Sequence, residues 1–145
     1  MPTNLSRPLR LLLMLLLGPL AACAPEAGPS LAAPEALEMA KAGKLTIVDI
    51  RRPEEWRQTG VAESALRLDM RDPNFPDVLL GKVQGDRNAP IALICRTGNR
   101  TTQMQRALLQ QGFTNIYNIK EGMAGSGAGP GWIRRGLPVA PCTQC

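Results

Sequence analysis

Apolar residues fall into short blocks along the chain, and the spacing within each block differs from the next. The first, Leu11-Leu12-Leu13-Met14-Leu15-Leu16-Leu17, has no polar interruption; Arg7 and Arg10 precede it, and Gly18, Pro19 and small residues lead on to Ala21-Ala22-Cys23. This basic, apolar, small-residue order is that of an export signal. The run is too short for a spanning helix, which needs about 20 apolar residues. Residues 24–34 carry no apolar period and are rich in Pro, Ala and Gly, which predicts a tether. Pro34 to Gly43 then shows Pro near the start, Glu35 in the first turn and Gly at the end, the boundary signals of a helix.

Beyond Gly43 the period changes. Leu45-Thr46-Ile47-Val48-Asp49-Ile50 and Ile91-Ala92-Leu93-Ile94 are compact β-rich runs of the kind that parallel sheets bury on both faces, and Phe113 to Ile119 is a further strand candidate. Between the first two lie a helical turn at Pro53-Glu54-Glu55-Trp56 and a short helix over Pro76 to Leu80. Arg100 to Gln111, closed by Gly112, places Met104, Ala107 and Leu108 on one helical face. This alternation predicts an α/β fold with a central, mainly parallel sheet of about five strands and helices on both faces.

Length and composition narrow the function. A chain of 145 residues without repeats builds one core. Its net charge is +5, and it stays mildly basic without Arg7 and Arg10, but only 3% of residues are aromatic and no basic cluster stands out. That pattern suits small anions and argues against nucleic acid. The absence of histidine excludes Ser-His and Cys-His catalysis and any histidine-ligated metal. No cofactor or metal is called for.

A nucleophile in such a chain must be activated by backbone dipoles and fixed cations. Cys95 sits where a strand ends and a helix begins, the edge at which open α/β sheets place ligands. A thiolate there gains from unpaired amides and the positive end of the helix dipole. Gly98 lets the loop curl so that successive amides face inward, while Arg96 and Arg100 supply charge.

The stretch Cys95-Arg96-Thr97-Gly98-Asn99-Arg100-Thr101 is similar to the active loop of rhodanese-like sulfurtransferases. Asp49-Ile50-Arg51-Arg52-Pro53-Glu54-Glu55 resembles an early Asp-x-Arg-x-x-x-Glu segment of that family. Gly112-Phe113, Asn118, Gly122-Met123, Trp132 and Gly136-Leu137-Pro138-Val139 resemble its later signatures, so the likeness runs from about Pro34 to Pro141. The resemblance implies transfer of a sulfane sulfur from thiosulfate or a related anionic donor, through a Cys95 persulfide, to a thiol or cyanide-like acceptor. In it Cys95 is the nucleophile, residues 96–101 bind substrate, and Asp49 pairs with Arg51 or Arg52 to fix the surrounding loop. Two rivals stand beside it. A non-catalytic module binding an anion or partner would share the fold, although it would have little reason to keep Cys95. Cysteine-dependent phosphatases and arsenate reductases place one residue more between Cys and Arg than the four that Cys95 and Arg100 enclose. The Gly-His-Ile-x-Gly-Ala segment usual in the family is replaced here by Gly60-Val61-Ala62-Glu63-Ser64-Ala65.

Leu20-Ala21-Ala22-Cys23 resembles the lipobox of bacterial lipoproteins, which implies loss of residues 1–22, a lipid on Cys23 and a membrane-anchored protein outside the cytoplasm. The periplasm is expected, with the outer membrane favoured because Ala24 follows the cysteine. The rival is ordinary cleavage after Ala24. The predicted organisation is a signal peptide over 1–22, a lipidated tether over 23–33, the domain over 34–141 and a tail over 142–145. In that tail Cys142 and Cys145 form a C-x-x-C pair, read either as a terminal disulfide or dispensable tail, or as a redox pair of which one thiol attacks the Cys95 persulfide and relays the sulfur or an oxidising equivalent, with a redox protein as partner. The segment Ala124 to Gly131 reads as a flexible insertion, either a lid or a surface loop.

Overall fold

The computed structural model describes residues 27–145. The expected export signal and Cys23 lie outside the described residues. In chain order the elements are α1 (Ala33–Lys41), β1 (Thr46–Asp49), α2 (Pro53–Thr59), β2 (Val61–Ala62), β3 (Leu66–Arg67), α3 (Phe75–Lys82), β4 (Ile91–Ile94), α4 (Asn99–Gln110), β5 (Ile116–Asn118) and β6 (Val139–Ala140).

Four strands form an all-parallel sheet in the order β3-β1-β4-β5, and β2 pairs antiparallel with β6 in a separate two-stranded ribbon. The expectation of about five strands therefore resolves into four plus a ribbon. Alternate side chains of the central strands serve opposite faces, as the pleat requires. Ile47, Ala92 and Ile94 join α1 and Trp132 in one core, while Val48, Ile91 and Leu93 join Phe75 and Leu79 of α3 and Leu108 of α4 in the other. Both faces are thus covered by helices, and the central strands read as unbroken apolar runs for that reason. A third, smaller cluster joins Trp56 of α2 to Val61 and Cys142.

Two segments expected to be loose are packed. In the predicted tether, Asn118 N–H donates to Pro29 O and Leu31 N–H to Asn118 O, so Ser30 extends the sheet by a parallel bridge beside β5. Gln105 Nε2 also donates to Pro29 O, and α1 starts one residue before Pro34. The Gly-rich stretch closes on itself through a Ser126–Gly129 bridge, and Ser126 Oγ donates to Lys120 O. Gly125 and Gly131 hold left-handed φ values of 98° and 91° where their backbones meet, an approach that no side chain would permit.

Glu121 ties these parts together. Its carboxylate, 2% exposed, accepts from Ala33 N–H at the start of α1 (2.8 Å), from Gly131 N–H (2.9 Å) and from Arg135 Nε (2.7 Å). Burial pushes its pKa up, but the Arg135 hydrogen bond and the two amides outweigh that and leave it below the ordinary value. A lowered folded-state pKa means that the stabilisation is complete above the usual carboxylate range and is lost as pH falls through the folded value. Glu121→Ala, which strands three donors, is expected to lower unfolding stability by about 2–4 kcal/mol in urea titrations at neutral pH. The difference from wild type should shrink on acidification; an undiminished difference would assign the loss to packing.

Candidate active site

The four-stranded sheet delivers Cys95 directly after Ile94 at the C-terminal end of β4, and Gly98 turns the chain into α4. Gly98 is the N-cap, with φ 89° in the left-handed region, and a Cβ on it would overlap Lys120 O. A Cβ on Gly122 would likewise overlap Arg96 O. The loop is pinned further by Met123 N–H donating to Cys95 O and Ala124 N–H to Arg96 O, both at 2.9 Å. The stretch after β5 is therefore the wall against which the Cys95 loop is moulded.

The thiol lies at the floor of this loop, 1% exposed. Gly98 N–H donates to Cys95 Sγ at 3.2 Å, and Thr101 Oγ1 is 3.5 Å away. Thr101 Oγ1 donates to Gly98 O at 2.9 Å, and Thr102 Oγ1 donates to the same oxygen at 2.8 Å. Gly98 O thus keeps a hydroxyl donor when Thr101 turns its single proton toward sulfur. A negative charge on Sγ can in this way recruit a second donor without orphaning a buried carbonyl. Asn118 Nδ2 supports the arrangement by donating to Thr102 Oγ1 at 2.9 Å.

Around this floor the charges are paired off. Arg51 is 2% exposed and Asp49 0%; Arg51 Nη2 donates to Asp49 Oδ2 at 2.7 Å and to Gly60 O at 2.8 Å, and Nη1 donates to Thr59 Oγ1. Of the two partners left open by sequence, Asp49 takes Arg51, while Arg52 points outward. The pair joins the end of β1 to the end of α2 and so sets how α2 lies.

That placement matters because α2 carries Glu55. Its carboxylate grips Arg100 on both nitrogens, Nη1 to Oε2 and Nη2 to Oε1 at 2.7 Å each, and also accepts from the N–H of Arg52, the residue that caps the start of α2. The Arg100 hydrogen bond, opposed by burial and aided by the Arg52 amide, lowers the Glu55 pKa to about 2. The clamp therefore holds at neutral and mildly acidic pH and opens only as pH approaches that value. Arg100, expected among the substrate-binding residues, is held in place by this fork. Glu55 had no expected role, although its position in the Asp-x-Arg-x-x-x-Glu segment and at the N-terminal turn of a Pro-started helix was visible in sequence. Arg96 and Asn99 are exposed and Thr97 is half-buried, so the first of these presents its charge at the loop mouth. Cys142 and Cys145 do not join this site; they lie beyond α2 in the cluster around Trp56.

The rhodanese-like domain family profile matches residues 32–127. Among curated proteins, an uncharacterized protein of Rickettsia prowazekii (strain Madrid E) is 30% identical over 98 residues, 63% of this chain and 80% of that one. A protein named sulfurtransferase from Allochromatium vinosum is 32% identical over 93 residues, 64% of this chain and 76% of its own length. Among solved structures, the polysulfide-sulfur transferase homodimer from Wolinella succinogenes has a TM-score of 0.60 at 25% identity, covering 80% of each chain.

Two substitutions test how the loop is held. Asp49→Ala leaves Arg51 charged and buried without its partner, and a loss of about 3–5 kcal/mol is expected in chemical denaturation. Gly98→Ala combines a left-handed φ with the Lys120 overlap, and it should cost at least about 1–3 kcal/mol. A variant as stable as wild type in either case would refute the corresponding constraint.

Proposed function

The chain belongs to the rhodanese-like domain family, and from that premise we propose that it is a sulfurtransferase that carries sulfane sulfur on Cys95. The observation that carries this reading is the Gly98 amide on Cys95 Sγ at the start of α4, with the Thr101 hydroxyl beside it. Relatives of the family include a protein named sulfurtransferase, and exposed Arg96 at the loop mouth suits thiosulfate or a related anionic donor.

In the first step the Cys95 thiolate attacks the outer sulfur of the donor. The donor's S–S bond breaks and its electron pair leaves with the departing group, which is sulfite when the donor is thiosulfate. Cys95 becomes a persulfide, whose terminal sulfur needs donors for its charge; the amides of the loop and α4 supply them in place of a histidine. In the second step a thiol or cyanide-like acceptor attacks that terminal sulfur, and the Cys95 thiolate is released. Exposed Arg96 attracts the anionic donor to the mouth. Arg100, immobilised by Glu55, supplies a fixed positive charge at little cost in reorganisation during the reaction. The smaller ring between Cys95 and Arg100 favours sulfur over a tetrahedral phosphate.

The reading extends to location: residues 1–22 direct export, and a lipid on Cys23 holds the domain at a membrane in the periplasm. The order of basic, apolar and small residues before Cys23 supports this. Growth with radiolabelled fatty acid should mark the wild-type chain and leave Cys23→Ser unlabelled; an unlabelled wild type would overturn the anchor.

For the chemistry, intact mass after incubation with thiosulfate or polysulfide should show one added sulfur in the wild type and none in Cys95→Ser. No adduct with any sulfane donor would favour a binding module instead. Arg96→Glu is expected to lower kcat/KM for thiosulfate about tenfold, with the gap narrowing as salt is raised.

A further inference from the structure

The strongest feature outside the Cys95 site is the C-terminal cysteine pair. Cys142 and Cys145 are joined as a disulfide across two intervening residues. Arg67, the last residue of β3, places a single guanidinium nitrogen, Nη1, 2.6 Å from Cys142 Sγ and 3.0 Å from Cys145 Sγ. A guanidinium offers only donors and is always charged, so it seeks anions, whereas the sulfurs of a disulfide are neutral and weak acceptors. Among the described residues no carboxylate forms a salt bridge with Arg67. Arg67 is exposed, so water solvates its charge, and a thiolate on either sulfur would give it an ionic partner at hydrogen-bond distance.

The two sulfurs are not equivalent. Cys142 is 7% exposed and packs on Trp56 and Val61, whereas Cys145 is only partly buried. Arg57 of α2 donates through Nη1 to Cys145 O, which holds the outer cysteine in place independently of the disulfide bond. The pair thus has an accessible sulfur for attack, a buried sulfur as leaving group and a cation beside the leaving group. A cation beside the departing sulfur stabilises the thiolate that forms as the disulfide opens, which favours exchange.

We propose that Cys142–Cys145 is a thiol–disulfide exchange site that accepts two electrons from a dithiol reductant, with Arg67 stabilising the thiolate that leaves. An incoming thiolate attacks Cys145 Sγ and forms a mixed disulfide, and the electron pair of the broken S–S bond departs on Cys142 Sγ beside Arg67 Nη1. The second thiol of the reductant then attacks its own sulfur in the mixed disulfide. The reductant leaves as a disulfide, and Cys142 and Cys145 remain reduced, sharing one proton and one Arg67-paired thiolate. None of these steps passes through Cys95, so the site operates whether or not Cys95 carries sulfur.

The test uses the full chain carrying Cys23→Ser and Cys95→Ser, in which Cys142 and Cys145 are the two cysteines left to react. The native protein is mixed with dithiothreitol, and free thiols are counted by alkylation and intact mass. Rapid opening without loss of the folded circular dichroism signal is expected, and in Arg67→Gln the opening should slow about tenfold while the alkylation rate of the reduced pair moves to higher pH. Arg67→Lys should recover part of both. A pair that opens only when the protein unfolds is a structural clasp and overturns the proposal, as does an Arg67→Gln variant with unchanged rate and pH profile.

Discussion

The molecule depends on burying the Cys95 sulfur under a backbone loop whose shape is dictated by the segment packed against it. Cys95 is nearly sealed, and the carbonyls of Cys95, Arg96 and Gly98 each accept a hydrogen bond from inside the protein. Gly98 alone has the left-handed freedom and the missing side chain that let its N–H face sulfur while its backbone touches Lys120. The segment 118–124 exists as a wall for this loop, donating from Met123 and Ala124 and bracing Thr102 through Asn118. Glu121, within the same wall, reaches back to the start of α1 and forward to Arg135. The site and the fold are held by one continuous set of hydrogen bonds.

Charge is organised around this in two concentric pairings. Asp49 with Arg51 is fully buried and fixes the exit of α2 from the sheet edge; Glu55 with Arg100 is partly exposed and ties α2 to α4. The inner pair sets a position, and the outer pair uses it to hold a cation near the loop. Separating these jobs fixes the Arg100 guanidinium beside the loop in an orientation that does not depend on a bound anion, with Glu55 offsetting its charge.

Much of this was readable in the sequence where the signal is local. The unbroken runs at Ile47 and Ile91, the stripe of α4 and the strand–Cys95–Gly98–helix order each reflect a period or a backbone demand within a few residues, and the structure has all of them. What could not be read depends on distance along the chain. Glu121 meets Ala33 across 88 residues, and no pattern at either end announces it. Pro29 to Leu31 look like a spacer because their composition lacks an apolar period, yet they are ordered by backbone pairing with Asn118, which composition does not encode. The Gly-rich stretch misled in the same way: its glycines serve close backbone approaches at Gly125 and Gly131.

The pairing of Ser30 beside β5 has a consequence for how the molecule behaves among copies of itself. A parallel sheet of four strands has two open rims, and each presents unsatisfied amides and carbonyls to any passing chain. At Asn118 the β5 rim is already occupied by the residues that lead the polypeptide into the domain, backed by Gln105. At the opposite rim β3 is only two residues long, too short to template a neighbour. The stretch that enters the domain is thereby also a guard against strand-to-strand self-association, protecting an apolar sheet that would otherwise be prone to aggregate.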